Sequence, residues 1–461
     1  VSDTSLDDDP TDVLVVGAGL NGLLAAVGAL RRGLSVRVLE AHPHVGRLAS
    51  GHNTGKATAL QGTQLSSIAD AVDEPSAVTY GRGQITAVSR LRDLCRHLDV
   101  PYEDRAAGTV VQDTKDLAVL TRERDLAVAA GMDVELLTSL PDAPYAAAGI
   151  VVPEQLQLNP QQLVEALARE VVALGGRLHL GSRVRRMLPH TSGSVVRLVD
   201  GRRVRARDVV VTTGTPILAR GGYFARVSAQ RSYIVAFQGP PIETSMLLTA
   251  DSPSRSLRDV RGEPFTLLVG GAGHGVGRTG SEYAGIREIC DWAARFFPDH
   301  TPLAHWSAQD YMSVDHRPLV EGFRSGRGRV VTVTGMNKWG LTNAVLASDS
   351  VVAALTGEAD LSGGGRGLLG ELAGRGAVRL AGQNAEVAVS EVVGTCRAAR
   401  DLVAPGDGRP RSAGICTHLG GTLAWNDAEG SLDCPLHGSR FDADGSVIEG
   451  YATHRAPHVR A

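Results

Sequence analysis

The sequence predicts a large α/β domain followed by a small all-β domain at the C-terminal end. Two stretches carry that prediction: a glycine-rich turn between a strand and a helix near residue 17, and a pair of Cys/His hooks between Cys416 and His437. A second glycine-opened helix after Gly335 supports the first of them.

Residues 1–11 are acidic, lack an apolar core and read as a disordered arm rather than a signal peptide. Asp12–Val16 then reads as a buried strand running into Gly17-Ala18-Gly19-Leu20-Asn21-Gly22. Leu23, Leu24, Val27 and Leu30 fall on one face of the helix that follows, Gly33 ends it, and Leu34–Leu39 is a second strand closing on Glu40 and Ala41. In such a unit Gly17 makes the tight turn, Gly19 lets the backbone approach a pyrophosphate, and Gly22 lets helix and strand pack closely. The helix N-terminus offers free N–H groups to phosphates. Glu40 is the acid expected to accept hydrogen bonds from ribose hydroxyls. His42, His44 and His52 read as loop histidines, not a metal set.

Residues 64–150 read as mixed helix and loop. Pro160–Leu174 is an amphipathic helix with Leu163, Leu167, Val171 and Leu174 on one side, stopped by Gly175-Gly176. Arg177–Met187 reads as a strand, a hairpin flanks Gly201, and Asp208–Thr213 is a buried strand ending at Gly214. Gly270-Gly271-Ala272-Gly273-His274-Gly275-Val276-Gly277 competes as a second dinucleotide site. No helix follows at once and no acid-ended strand comes about 20 residues later, so a turn is predicted there. Arg329–Thr334 is a strand leading to Gly335, Trp339, Gly340, Leu341 and Thr342, where a helix over 344–355 begins. Residues 361–375, with Gly363-Gly364-Gly365, read as a linker, and 376–461 as the small domain.

The hooks are Cys416-Thr417-His418 and Cys434-Pro435-Leu436-His437, with fifteen residues between His418 and Cys434. Each ends at glycine, Gly420-Gly421 and Gly438, which lets two loops pinch a flat group from opposite sides. Zinc takes the same ligand set, but zinc ribbons prefer shorter Cys-x2-Cys knuckles.

The 461 residues suffice for two or three domains, and 43% hydrophobic with 21% charged residues is ordinary for a globular protein. A net charge of −3 lacks the basic footprint of a nucleic-acid binder. Five cysteines in no regular framework indicate a reducing compartment, and with no apolar run of membrane-spanning length the expected location is cytoplasmic.

The hooks resemble Rieske iron–sulfur domains, in which two thiolates hold one iron and two imidazoles the other. That resemblance implies a 2Fe-2S cluster held by Cys416, His418, Cys434 and His437. The remainder resembles FAD-dependent oxidoreductases of the D-amino-acid/glycine/sarcosine-oxidase superfamily. The motifs carrying this are Gly55-Lys56-Ala57-Thr58-Ala59, Trp306-Ser307-Ala308-Gln309-Asp310-Tyr311 and Gly335-Met336-Asn337-Lys338-Trp339-Gly340-Leu341-Thr342. It implies a glutathione-reductase-like FAD-binding Rossmann-like domain with an interleaved antiparallel-sheet substrate domain over 12–360. Arg47 and Lys56–Thr58 would return to the cofactor, Val184 would lie under the adenine, Thr213 and Gly214 near the phosphates, and the helix after Trp339 would face the flavin. Gln309, Tyr311, Lys56 and Trp339 are the candidates lining the flavin. Relatives that attach flavin covalently use a cysteine near Trp306–Asp315; none is present, so FAD is expected to be non-covalent. Where respiratory Rieske proteins carry two further cysteines and a tyrosine, this chain has Gly421, Leu436 and Phe441, which implies a lower potential.

The resemblance implies hydride transfer from a C–N bond of a small amine or amino-acid-like substrate, with electrons leaving singly through the cluster to an acceptor such as a ferredoxin. Two alternatives stand beside it. In one, a ferredoxin-like donor feeds electrons inward through the cluster to FAD. In the other, the chain is an electron-transfer component with no small-molecule substrate.

Overall fold

The computed structural model describes residues 10–140, 143–217, 221–242, 244–325, 328–361, 379–390 and 414–457. Residues 1–9 of the predicted arm and 362–375 of the predicted linker lie outside them; Thr11, read as the end of the arm, is instead the first residue of a strand, paired with Ala206.

Five parallel strands form the heart of an eight-stranded sheet, in the order Gly328–Thr334, Arg203–Val211, Thr11–Val16, Val36–Leu39 and Arg177–His179. Leu319–Ser325 adds an antiparallel edge, and Val184–His190 with Gly193–Leu198 forms a hairpin that continues from Arg203–Val211. Thr11–Val16 is buried almost end to end because helices cover it, as the unbroken run of valines and leucine requires. The helices Leu20–Arg31, Pro160–Ala173 and Gly340–Thr356 pack together on this sheet, joined by Glu74–His97. The predicted single strand at 177–187 is broken after His179, where Gly181 turns the chain with φ +62.

A nine-stranded sheet makes the second layer. Its order is Thr301–Ser313, Val227–Gln238, Thr266–Gly275, Ser256–Val260, Met246–Thr249, Tyr102–Val111, Ala148–Leu158 and Lys56–Ala57, with Glu135–Leu137 paired on Ala148–Leu158. Only Met246–Thr249 and Tyr102–Val111 run parallel. The glycine run 270–277 is therefore not the predicted turn as far as Gly275; it continues a strand, with Gly270 opposite Ile234 and Gly271 opposite Tyr233. The glycines there make room for neighbours: a Cβ on Gly271 would come within 2.9 Å of Arg255.

The C-terminal domain is a four-stranded antiparallel meander, Ala424–Asn426, Ser431–Asp433, Arg440–Asp442 and Val447–Glu449. Residues 379–390 are helical, an element the short-stranded reading of this domain did not include.

Gly22 shows how tightly the first strand and helix meet. A Cβ there would collide with the Gly17 carbonyl and lie 2.7 Å from Thr212 Oγ1. Gly22→Ala should cost about 1–3 kcal/mol, whereas Gly280→Ala, with nothing within 4 Å of the added carbon, should be neutral. Denaturant unfolding of the two variants measures the difference.

Candidate functional site: a dinucleotide cavity against a two-hook clamp

A cavity of about 390 Å³ runs along the C-terminal edges of the parallel strands. At one end it is lined by Gly17, Gly19, Leu20, Asn21, Glu40, Ala41, Arg47 and Val184, with Thr213 and Gly214 farther along, where a Cβ on Gly214 would come within 3.0 Å of Tyr311. At the other it is lined by Lys56, Gln309, Tyr311, Trp339, Gly340 and Leu341. The sequence candidates Gly22, Ala57, Thr58, Gly335 and Thr342 do not reach it. Gly22 is pressed against Gly17, and Ala57 is fully buried in its strand. Thr58 Oγ1 donates to Leu60 O at 3.0 Å, and Thr342 Oγ1 accepts from Gln61 Nε2 at 3.0 Å. Gly335 turns the chain with φ +68 behind the wall.

The polar groups at the first end suit a dinucleotide. Gly17 has φ +107, and Glu40, nearly buried, accepts from the Ala18 and His42 amides at 2.8 and 2.9 Å. Burial raises the Glu40 pKa while those two amides oppose it. Asn21 Oδ1 is buried without a hydrogen-bond partner in a wall where a cofactor could supply one. The neighbouring His42 is not a free loop histidine: its Nε2 lies 3.0 Å from Ile448 O, and burial pushes it down to about 4.

At the second end the helix Gly340–Thr356 begins against the cavity, so its unpaired N–H groups face the space. Lys56 Nζ donates to Ser256 Oγ and, at 3.2 Å, to Leu247 O. Burial pushes Lys56 down to about 7, and the Arg258 charge pushes the same way. Gln309 is almost fully buried and its amide is fixed at both ends: Oε1 accepts from Arg231 at 2.8 Å, and Nε2 donates to Tyr311 Oη at 2.9 Å and to Gly438 O at 2.7 Å.

Gly438 belongs to the second hook. The two hooks close identically. The Cys416 amide donates to Gly421 O and the Gly420 amide back to Cys416 O; the Cys434 amide donates to Ser439 O and the Gly438 amide back to Cys434 O, all at 2.8–3.0 Å. The fourth residue after each cysteine must be left-handed, and both are glycines, Gly420 at φ +81 and Gly438 at φ +76. Cys416 and Cys434 are free and buried, with the hydroxyl of Ser439 bonding Cys416. The rings of His418 and His437 lie 5.3 Å apart, with Tyr451 stacked on His418 at 4.9 Å and Phe224 edge-on to both. Burial lowers the pKa of both imidazoles, His437 to about 4, and His418 Nδ1 has no partner. Iron is held by neutral imidazoles and by cysteines that give up their proton to become thiolates. Among the described residues no three His, Cys, Asp or Glu side chains converge on one point. Cys416 and Cys434 hydrogen-bond each other, and the His418 and His437 rings lie edge to face, so the four side chains stand as a sulfur pair and a nitrogen pair. A Cβ on Gly421 would meet Leu436 at 2.7 Å, so Leu436 packs over the first hook.

Sequence reasoning missed the seam between the two parts. Ile448, Glu449, Gly450, Ala452 and Thr453 of the C-terminal domain line the cavity, so its wall is not confined to residues 12–360. Arg231 and Asp433, both fully buried, meet across the seam at 3.3 Å. Asp427 reaches across to accept from Ser281 Oγ and from the Glu282 and Tyr283 amides at 2.6–2.9 Å, capping the helix Glu282–Phe296. No local pattern announces contacts between residues hundreds of positions apart. Cys95 and Cys290 do not line the cavity, and Cys396 lies outside the described residues.

Residues 12–354 match the family described as FAD dependent oxidoreductase, and residues 381–460 match the Rieske [2Fe-2S] domain. YhfW of Bacillus subtilis, named for a Rieske 2Fe-2S iron–sulfur protein, is 26% identical over 97% of this chain and 92% of its own. The cytochrome b6-f complex iron-sulfur subunit 1 of Nostoc is 53% identical over 38 residues, 8% of this chain and 21% of its own. Among solved structures, L-proline dehydrogenase from P. horikoshii superposes with a TM-score of 0.63 at 14% identity, over 77% of this chain and 96% of its own. Glycine oxidase from Geobacillus kaustophilus gives 0.61 at 19% identity, over 75% and 95%. Glycine-turned dinucleotide cavity, antiparallel second layer and two-hook clamp together place the chain in the FAD-dependent oxidoreductase family, as a flavoenzyme carrying a C-terminal Rieske 2Fe-2S domain.

Proposed function

We propose that this oxidoreductase oxidises a small amine or amino-acid-like molecule at a C–N bond and delivers the electrons singly to an external acceptor of ferredoxin type. One observation carries the reading: Gln309, in the cavity wall, donates to the carbonyl of Gly438, the residue next to the hook ligand His437. Bound FAD supplies a two-electron acceptor and the cluster a one-electron carrier. The chain's own residues supply the rest. Gly17, Gly19, Asn21 and Glu40 would hold the dinucleotide, and Cys416, His418, Cys434 and His437 the cluster. The N-terminus of Gly340–Thr356 puts positive potential at the far end of the cavity. Lys56, with its pKa near neutrality, is placed to take at Nζ the proton an amine releases. Free Cys95 and Cys290 support a reducing, cytoplasmic setting. No helix among the described residues is long and apolar enough to cross a membrane.

The decisive experiment uses the double variant His418→Ala/His437→Ala. Anaerobic substrate should still bleach its flavin in one half-reaction, while turnover with a one-electron acceptor collapses. Unchanged steady-state turnover with that acceptor would sink the reading. Bleaching by reduced ferredoxin and never by substrate in the wild type would reverse the current. Acid precipitation should leave all the flavin in the supernatant, because no cysteine of the described residues lines the cavity.

Lys56 also makes a stability prediction for FAD-stripped protein. Its folded pKa is about 7 against an ordinary 10.5, so between those values the unfolded chain binds more protons. The burial penalty is therefore full below about pH 7 and fades as pH rises towards 10.5. Lys56→Met should be more stable than wild type at pH 6–7, with the advantage shrinking on the alkaline side, as thermal melts across pH will show. The same variant should lose about 10²–10⁴-fold in turnover.

A further inference from the structure

We propose that the segment Ile448–Thr453 of the C-terminal domain is part of the FAD site, so that the dinucleotide is held by both domains and leaves only when the C-terminal domain lifts away. Ile448 O accepts from Arg183 Nη2 at 3.1 Å and lies 3.0 Å from His42 Nε2. Arg183 and His42 line the same cavity beside Glu40, the acid expected at the ribose. The segment thus lies along the dinucleotide end of the cavity, while Glu449 and Gly450 continue the wall.

The segment does not move alone, because it is built into the cluster clamp. The Ala452 amide donates to Ser439 Oγ at 3.1 Å, and Arg440 Nη1 donates to Glu449 at 3.1 Å. Gly450 has φ +106 and runs so close to Ser439 that no Cβ fits between them. The clamp in turn is docked on the flavin domain through Arg231–Asp433, Gln309–Gly438 and Asn426 Nδ2 to Tyr233 Oη at 3.2 Å. Opening the cavity wall at Ile448 therefore means breaking a buried seam that runs from the cavity wall at Gln309 and Tyr233 on to Arg231–Asp433. This linkage is independent of the substrate and of the direction of electron flow.

Two measurements test it on the full chain with its cluster loaded. Hydrogen exchange with and without FAD should show the amides of Ile448–Thr453 slowed by about tenfold or more when FAD is present. Equal exchange there in both forms, with the amides of 17–22 slowed, would overturn the proposal. The second measurement is the rate of FAD release from Asp427→Ala and Gly277→Val. Both residues lie outside the cavity: Asp427 caps Glu282–Phe296, and a side chain on Gly277 would wedge against Asp433 and Pro435 across the seam. With the cluster's absorbance retained, FAD release should quicken about tenfold. A release rate unchanged in both variants also overturns the proposal; Asp427→Ala, a change at an exposed side chain, keeps the test valid where the bulkier substitution disturbs folding.

Discussion

Arg231 is a guanidinium with no solvent exposure, and its countercharge belongs to the other domain. Asp433 is equally buried and is also bonded by Asn426 Nδ2 at 3.0 Å and approached by Arg440 at 3.5 Å. A buried charge stripped of its partner costs about 3–5 kcal/mol. Separating the domains would strip Arg231 of its countercharge, while Asp433 would keep Arg440 and Asn426 of its own domain. That constraint keeps the hook Cys434–Gly438 pressed on the strands Val227–Gln238 and Thr301–Ser313. A Cβ on Gly438 would run into Ala229. Glu282, next to this network, is pushed up to about 7 by burial, with the Asp433 charge adding to the shift.

What could be read in the sequence was what is local. The hooks were legible because each closes within five residues and demands glycine at one position. The first dinucleotide turn was legible for the same reason, its spacing being set by one strand, one turn and one helix. The helix at Gly340 was placed four residues late, because Gly340 and Thr342 are poor helix formers; Gly340 sits against the cavity and Thr342 is tied to Gln61 behind it. The glycines at 270–275 misled: their local signal is a turn, but what decides is packing against Arg255 and Ser256 on neighbouring elements. The cavity wall at Ile448 was invisible, since it depends on residues 42 and 183 meeting residue 448 in space.

The entry to the helix Gly340–Thr356 is strained. Asn337 at φ +52 and Lys338 at φ +67 are consecutive left-handed residues without the freedom of glycine. Such conformations cost of order 1–3 kcal/mol each. Asn337 is held in place by bonds to Ser313: its Oδ1 accepts from the Ser313 amide at 2.9 Å, and its Nδ2 donates to the hydroxyl at 3.1 Å. The strand Thr301–Ser313, which also carries Gln309 and Tyr311, thereby positions the helix end that closes the cavity.

The contact between Gly421 and Leu436 has a practical side. Where a Rieske domain of the respiratory type ties its two loops with a sulfur–sulfur bond, here the side chain of Leu436 lies over Gly421. The loops are held by packing and by their own backbone bonds. Dithiothreitol and similar agents find no bond to cut between them, so strongly reducing buffers can be used to purify and handle this domain without loosening its frame.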